Sequence, residues 1–137
     1  MVALQSLNHV TVRPHDLEAT RNFYVDIVGL SEGARPPFGF PGYWLYAGDM
    51  AVIHLVGKGN PTDDFVGYTG AAQSGAGSGA VDHVAFAYDA EDYDKTCAAI
   101  VAHGFAYKRQ TVPDLGLRQL FIKDPDAVVV ELNFPAE

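Results

Sequence analysis

Apolar and polar positions alternate along residues 6–13, which predicts a first β-strand with two different faces. Over residues 17–28 the apolar positions recur at helical spacing, with Asp16 placed to cap the helix and Gly29 to end it. Two further strand patterns follow a loop rich in proline, glycine and aromatic residues, at residues 43–47 and 50–56. The first half of the chain is therefore predicted to contain a strand, a helix and two strands.

The same order of elements returns in the second half. Residues 81–88 alternate as a strand, Asp89 is a candidate helix cap, and the helical pattern of residues 90–103 ends at Gly104. Three more strands are predicted at residues 105–109, 117–123 and 128–134, the last two joined by a turn sequence at 124–127. A repeat of about seventy residues indicates one domain made of two similar modules.

These patterns predict an α+β fold in which the helices cover one face of a sheet and leave the other face free. We expect a single domain over residues 1–137, with module one at about 6–56 and module two at about 81–134. Residues 57–80 between them are rich in glycine and lack a sustained period, which predicts a flexible linker. The alternative hypothesis for this segment is a mobile lid that closes on a substrate.

Strand alternation decides which side chains reach the free face, because positions two apart share a side of a strand. Val84 and Phe86 are suited to packing beneath a helix, so His83 points the other way. The same alternation in the other strands brings a small set of polar side chains to this free face, namely His9, His54, His83 and Glu131.

The four polar residues also occupy matching places in the two halves, His9 with His83 and His54 with Glu131. A single histidine in an apolar strand is more often a structural residue, but four such groups at repeated positions favour a shared ligand. A buried carboxylate at Glu131 needs a compensating charge. Three imidazoles and a carboxylate suit one divalent ion of Zn, Fe, Mn, Co or Ni better than Ca or Mg.

Composition narrows the function further. The 137 residues suffice for one domain, and 17 acidic against 9 basic side chains give a net charge of −8 with no basic cluster. Nucleic acid and anionic membranes are therefore excluded as expected partners. The N-terminal residues lack a signal-peptide pattern, so we expect a cytoplasmic protein. A single cysteine, Cys97, excludes an internal disulfide.

The chain resembles the vicinal oxygen chelate superfamily, which includes glyoxalase I, methylmalonyl-CoA epimerase, fosfomycin-resistance proteins, extradiol dioxygenases and bleomycin-binding proteins. The resemblance covers nearly the whole chain. It rests on residues 7–12 (LNHVTV), 23–30 (FYVDIVGL), 81–86 (VDHVAF) and 121–127 (FIKDPDA), followed by 130–132 (VEL).

The resemblance implies paired βαβββ modules whose curled mixed sheet forms a cup around the metal, with the helices on the outer face, and commonly a homodimer. It assigns the metal ligands to His9, His54, His83 and Glu131. Two positions depart from the family pattern. Ala127 replaces a common glycine at the turn, and His54 stands where glyoxalase I and the epimerase usually have glutamate or glutamine, which leaves a glutathione or CoA substrate open.

Three function classes remain open at this point. Ligation by all four side chains favours proton-transfer chemistry, isomerase or lyase, with Glu131 as the base. If His54 is not a ligand, then His9, His83 and Glu131 form a two-histidine, one-carboxylate triad, which favours an Fe(II)-dependent ring-cleaving dioxygenase. A non-catalytic drug-binding protein is the third class, and the presence of a full ligand set argues against it.

Candidate substrate contacts complete the prediction. Arg13 and Arg118 are candidates to bind a substrate carboxylate, and surface solvation is the alternative for both. The candidate apolar contacts of a small-molecule substrate are Trp44, Tyr46 and Phe121. His15 and His103 are interpreted as surface residues.

Overall fold

A computed structural model describes residues 2–58 and 77–137 of the chain. Residues 59–76, most of the predicted linker, lie outside the described residues. The linker and lid hypotheses therefore both stay predictions.

Module one begins with a short strand and a helix and continues with three strands. Helix α1 runs on directly into a π-helical segment, Phe23–Val28, before the chain reverses. The elements are β1 (Val10–Val12), α1 (Leu17–Asn22), β2 (Ser31–Gly33), β3 (Gly42–Ala47) and β4 (Met50–Val56).

Module two repeats this order. A 3₁₀ turn, Ala90–Asp92, precedes its helix, and a second one, Pro113–Leu115, separates two of its strands. The elements are β5 (His83–Ala87), α2 (Tyr93–Ala102), β6 (Tyr107–Val112), β7 (Leu117–Lys123) and β8 (Val129–Pro135).

The two modules form four-stranded mixed sheets of the same topology. Their strand orders are β1-β4-β3-β2 and β5-β8-β7-β6. In each sheet the first and last strands of the module pair in parallel, and the other pairs are antiparallel. The predicted α+β fold with duplicated βαβββ modules is confirmed.

One hydrophobic core holds the two modules together. The Phe23 ring packs edge-on against Phe105, with centroids 5.1 Å apart, and the Tyr88 hydroxyl donates to the Val28 carbonyl at 2.7 Å. The core takes side chains from the helices and from one face of each sheet, including Tyr24, Ile27, Ile53, Leu55, Ile100, Leu120, Ile122, Val130, Leu132 and Phe134. The modules therefore contact each other through their helix-bearing sides.

The predicted helix ends are largely confirmed. Asp16 accepts a hydrogen bond from the Ala19 amide at 3.0 Å, and Gly29 and Gly104 adopt left-handed φ values of 95° and 77°. Glycine tolerates this geometry because it has no Cβ. Asp89 occupies the N-cap position of the 3₁₀ turn, as predicted, but its side chain makes no capping hydrogen bond.

Several strands begin or end at other residues than predicted, because pairing with the neighbouring strand sets their limits. β1 is shorter than residues 6–13, because only its three residues pair with β4. β6 covers residues 107–112 instead of 105–109, because it pairs along almost all of β7, whereas Phe105 packs into the core. β2 was not predicted.

The turn between β7 and β8 places Ala127 in the left-handed region, with φ 65°, the single such non-glycine residue in the described ranges. The Asp124 carboxylate holds this turn, because its Oδ1 accepts from the amides of Asp126 at 2.8 Å and Val128 at 3.0 Å. In this conformation Ala127 carries a cost of about 1–2 kcal/mol that glycine would avoid.

Within residues 2–58 and 77–137, no helix combines the length and the apolar character that a transmembrane span requires.

Candidate metal centre

Three aromatic rings form a stack on the free face of the first sheet. The imidazole of His54 lies between His9, at a centroid distance of 3.8 Å, and Trp44, at 3.9 Å, with interplanar angles of 13° and 10°. Trp44 is the direct cross-strand partner of His54. The structure thus brings His9 and His54 together: His9 directly precedes β1, and Thr11, two residues further on, pairs with His54.

The stack affects the protonation of His54. Partial burial lowers the pKa of His54, and the nearby His9 lowers it further because two imidazolium charges would repel. Neutral imidazole is the form that binds a metal. Next to it, His9 Nδ1 lies 2.6 Å from the Asn8 side-chain oxygen, a contact that orients its ring.

The second pair of predicted ligands lies on the free face of the other sheet. His83 Nε2 is 3.6 Å from Glu131 Oε1, and His83 Nδ1 is 2.8 Å from Asp82 Oδ2. The hydrogen bond to Asp82 and the charges of Glu131 and Asp82 raise the pKa of His83. The contact with Asp82 orients the ring so that Nε2 faces the carboxylate of Glu131.

A chain of amide side chains fixes the carboxylate of Glu131. Asn133 Nδ2 donates to Glu131 Oε2 at 2.8 Å, and Gln119 Nε2 donates to Asn133 Oδ1 at 3.1 Å. The Glu131 side chain is only 13% exposed. This carboxylate is therefore oriented by neighbours, with Oε1 directed toward His83.

The two pairs are not assembled into one site by a single chain. His9 and His83 both line a cavity of about 520 Å³ that the edge strands β1 and β5 share, but His54 and Glu131 do not line it. Among the described residues, no three His, Cys, Asp or Glu side chains are close enough to hold a metal ion together. We call His9 with His54 the first half-site, and His83 with Glu131 the second half-site.

Of the predicted apolar contacts, Trp44 and Phe121 adjoin the half-sites. Trp44 covers His54, and the Phe121 ring stands edge-on to His83 with centroids 6.4 Å apart, directly across from Glu131 in the β7–β8 pair. Tyr46 is held elsewhere, because its hydroxyl donates to the Ala34 carbonyl beside β2.

The two predicted arginines do not reach the half-sites. Arg118 lies on the helix-facing side of β7, where its guanidinium stacks 4.0 Å from the Tyr93 ring centroid and donates to the carbonyls of Ala90 and Pro135. It alternates with Phe121 along the strand and therefore faces away from Glu131. Arg13 donates to the Gly57 carbonyl at 3.0 Å and lines a separate cavity.

Some contacts in this region were not predicted as functional. Asn133 lies two residues after Glu131 in β8 and therefore on the same face, and this alternation is the sequence signal that could identify it.

His15 is predicted as a surface residue, and its side chain is 66% exposed. Its Nδ1 nevertheless lies 2.5 Å from Asp126 Oδ1, a contact that links the two modules. No sequence pattern signals this contact, because the two residues are far apart in the chain.

The sequence profile of the Glyoxalase/Bleomycin resistance protein/Dioxygenase superfamily matches residues 6–132. The chain belongs to this superfamily. It is 28% identical over 132 residues to "Glyoxylase I 4" of Arabidopsis thaliana, a match that covers 94% of this chain and 70% of the relative.

Several solved structures share the fold of this chain. A glyoxalase/dioxygenase from Nostoc punctiforme superposes with a TM-score of 0.72 at 21% identity, covering 100% of this chain and 97% of the other. A point mutant of the fosfomycin resistance protein FosX from Listeria monocytogenes superposes with a TM-score of 0.69 at 18% identity, covering 98% and 95%. That FosX structure is a complex with Mn(II) and 1S,2S-dihydroxypropylphosphonic acid.

The four candidate ligands of this superfamily member are of chemical types that bind a divalent metal. A neutral imidazole at His54 and a partly buried, oriented carboxylate at Glu131 are suitable ligands for a transition metal. Their arrangement fits only in part, because each half-site offers two side chains and a single chain keeps the half-sites apart. The fit therefore depends on what completes each half-site.

Proposed function

We propose that this protein is a divalent-metal-dependent, glyoxalase-like enzyme that binds a small oxygenated substrate through two of its oxygens. The proposed reaction is a proton-transfer isomerisation or lyase step. The observation that carries the proposal is the carboxylate of Glu131, which is 13% exposed, held by Asn133 and directed at His83. The proposed metal ligands are His9, His54, His83 and Glu131.

We further propose that the metal site forms between two copies of the chain, in a homodimer. The core packs the helix-bearing sides of the two modules together, so the faces with the half-sites point outward. An outward first half-site of one protomer can meet the second half-site of its partner, and two-fold symmetry would create two such sites. Each would contain three imidazoles and one carboxylate.

In this proposed site each residue has a separate role in the reaction. The metal, when bound, supplies Lewis-acid stabilisation of a substrate oxygen. In the isomerisation, Glu131 accepts a proton from one substrate carbon and returns it to the neighbouring carbon, while the amide of Asn133 keeps the carboxylate in position. Trp44 covers one face of His54 and excludes water from that side. Phe121 provides an apolar surface across from Glu131.

A second candidate function is favoured by the stacking of His54. Its ring is enclosed between His9 and Trp44. In this position His54 could support the ligand His9 by stacking, without binding the metal itself. The remaining set, His9, His83 and Glu131, is the triad of Fe(II) oxygenases. This set favours ring cleavage of a catechol-like substrate by oxygen.

Metal analysis tests the ligand set. Protein purified without chelator or affinity-tag metal is expected to bind one divalent ion per chain, and His54→Ala is expected to lower the affinity sharply. His103→Ala is the control, because this exposed ring contacts the Ala99 carbonyl of its own helix. Unchanged metal stoichiometry and affinity in His54→Ala would exclude the four-ligand site. If the wild-type protein binds none of Mn, Fe, Zn, Co and Ni, a non-catalytic binding protein would be favoured.

Mixing two inactive variants tests the shared site. His9→Ala damages the first half-site and Glu131→Ala the second, so neither variant alone is expected to bind the metal tightly. After denaturation and refolding together, half of the dimers pair the two variants and contain one intact site, so the mixture binds about a quarter of the wild-type metal. No recovery in the mixture, with normal binding by the wild type, would place all ligands in one chain.

Oxygen consumption separates the two reactions. The iron-loaded protein is incubated with catechols while dissolved oxygen is measured. The proton-transfer proposal expects no uptake above that of the Glu131→Ala variant. Oxygen consumed in proportion to a ring-opened product would instead establish the dioxygenase.

A further inference from the structure

The free face of the second sheet has an ordered set of side chains beyond the half-site. Strand pairing places Glu131, Phe121 and Lys108 in one row across β8, β7 and β6. The neighbouring row contains His83, Val129 and Lys123. Because paired residues share a face, both lysines lie on the same side of the sheet as the second half-site.

Both lysines line a single open cavity of about 460 Å³ together with Phe121 and Val129. Neither ammonium group has an ion pair or a hydrogen bond with any residue in ranges 2–58 and 77–137. The whole chain contains only 9 basic residues against 17 acidic ones. Two uncompensated ammonium groups in one cavity are therefore a local positive site on an acidic protein.

We propose that Lys108 and Lys123 bind an oxyanion of the substrate, a carboxylate or a phosphoryl group, at the far end of the molecule from the metal-binding oxygens. This orientation of the substrate, with two of its oxygens on the metal, rests on the proposed function. Phe121 lies between the two ends and contacts the apolar body of the substrate. The lysines thus determine specificity for an anionic substrate.

The spacing of the strands sets the size of this substrate. Neighbouring strands are about 4.8 Å apart, so Lys108 is about 10 Å from Glu131 across the sheet. A body about the size of one aromatic ring spans this distance once the lysine side chain reaches inward. Stacking of such a ring against Phe121 would add to the binding.

Protection of a sheet edge does not account for both lysines. β6 is the edge strand, and a lysine there can discourage pairing with another chain. Lys123, however, lies on β7, which has a neighbour on each side. Lys108→Glu separates the two roles, because it keeps a charge at the edge while it repels an anion.

Binding of simple probes to the metal-free protein tests the proposal. Benzoate and phenylphosphonate have the required charge and ring, and benzamide is the neutral comparison. At low ionic strength, calorimetry or NMR titration is expected to show that the anions bind more tightly than benzamide. Since exposed charge pairs contribute modestly, Lys108→Gln and Lys123→Gln should each weaken anion binding about threefold, and the double variant about tenfold.

Lys95→Gln is the matched control, because Lys95 lies on α2, where its ammonium pairs with Asp92 at 3.5 Å. This variant should bind the anions like the wild type, whereas Lys108→Glu should bind them more weakly than Lys108→Gln. If the lysine substitutions weaken the binding of phenylphosphonate but not of benzoate, the site recognises a phosphoryl group. If they weaken the binding of both anions, the site recognises oxyanions in general.

Equal affinity for benzamide and the anions, or an equal loss in Lys95→Gln, would overturn the proposal. Because the titrations use metal-free protein, they remain informative if the chain binds no metal. Failure of metal binding would then contradict the proposed function alone.

Discussion

The imidazole of His54 lies face to face with the indole of Trp44, with ring centroids 3.9 Å apart and planes inclined by 10°. The two residues are directly opposite in the β3–β4 pair, so the strand register fixes the contact. Trp44 is the single tryptophan of the chain. Its fluorescence therefore reports on the state of a proposed metal ligand without any added label.

We expect the fluorescence of the metal-free protein to fall as His54 becomes protonated, because imidazolium quenches indole more strongly than neutral imidazole. Burial and the positive charge of His9 lower the pKa of His54 below the ordinary 6.5, so the midpoint should lie below pH 6.5. A fluorescence titration measures it. His9→Ala removes the repelling charge and should raise the midpoint.

The control for this titration is His15→Ala, which removes an exposed imidazole whose ring contacts Asp126. It should leave the midpoint unchanged, and His54→Gln should abolish the transition. A wild-type midpoint at or above pH 6.5 would contradict the expected environment of His54.

The left-handed turn residue leads to a stability prediction. Ala127 is exposed and has φ 65°, a conformation that glycine adopts without a Cβ clash. Ala127→Gly should therefore raise the free energy of unfolding by about 1 kcal/mol, after allowing for the greater freedom of glycine in the unfolded chain. Chemical denaturation measures the change.

Ala98→Gly provides the comparison, because Ala98 lies inside helix α2. Glycine there should lower the free energy of unfolding by about 1 kcal/mol. Two substitutions of the same kind are thus expected to have opposite signs, and a destabilising Ala127→Gly would show that the turn gains nothing from glycine.

The faces of the strands could be predicted because alternation is a local property of the sequence. Val130 and Leu132 are fully buried and Glu131 between them is turned to the other side, as the pattern predicts. The same alternation places His54 between buried Ile53 and Leu55. Periodicity therefore suffices to assign each candidate ligand to its face without knowledge of the strand pairing.

Features that depend on a distant partner could not be predicted in this way. β2 is a short exposed strand whose residues Ser31 and Gly33 pair with β3, so its own composition gives no strand signal. The position of Arg118 in a strand next to Glu131 predicts a substrate contact, but its guanidinium stacks on the Tyr93 ring and donates to the Ala90 carbonyl on the helix side. The separation of the half-sites likewise follows from how the modules pack.

A buried hydrogen bond between the modules leads to a further prediction. The hydroxyl of Tyr24, which is fully buried, donates to Asp124 Oδ2 at 2.9 Å, while the backbone amides of the turn bind Oδ1. Burial disfavours the charged form of Asp124 and raises its pKa. Tyr24→Phe leaves Oδ2 without this donor and should lower the free energy of unfolding by about 2 kcal/mol.

Tyr43→Phe is the control for the loss of a tyrosine hydroxyl, because that hydroxyl donates to Glu18 at the protein surface. Surface substitutions of this kind change stability by about 0.5 kcal/mol or less. Equal effects of the two variants on chemical denaturation would argue against a special role of the Tyr24–Asp124 bond.

The last prediction concerns the amide that holds the proposed base. Asn133 donates to Glu131 Oε2 at 2.8 Å, and Gln119 donates to Asn133 in turn. Groups that orient a metal ligand typically contribute tenfold or more to affinity, so Asn133→Ala should weaken metal binding about tenfold. Gln119→Ala, one step removed from Glu131, should weaken it less. Metal titration by calorimetry, with thermal unfolding as a check on folding, measures both; unchanged affinity in Asn133→Ala would mean that Glu131 needs no such support.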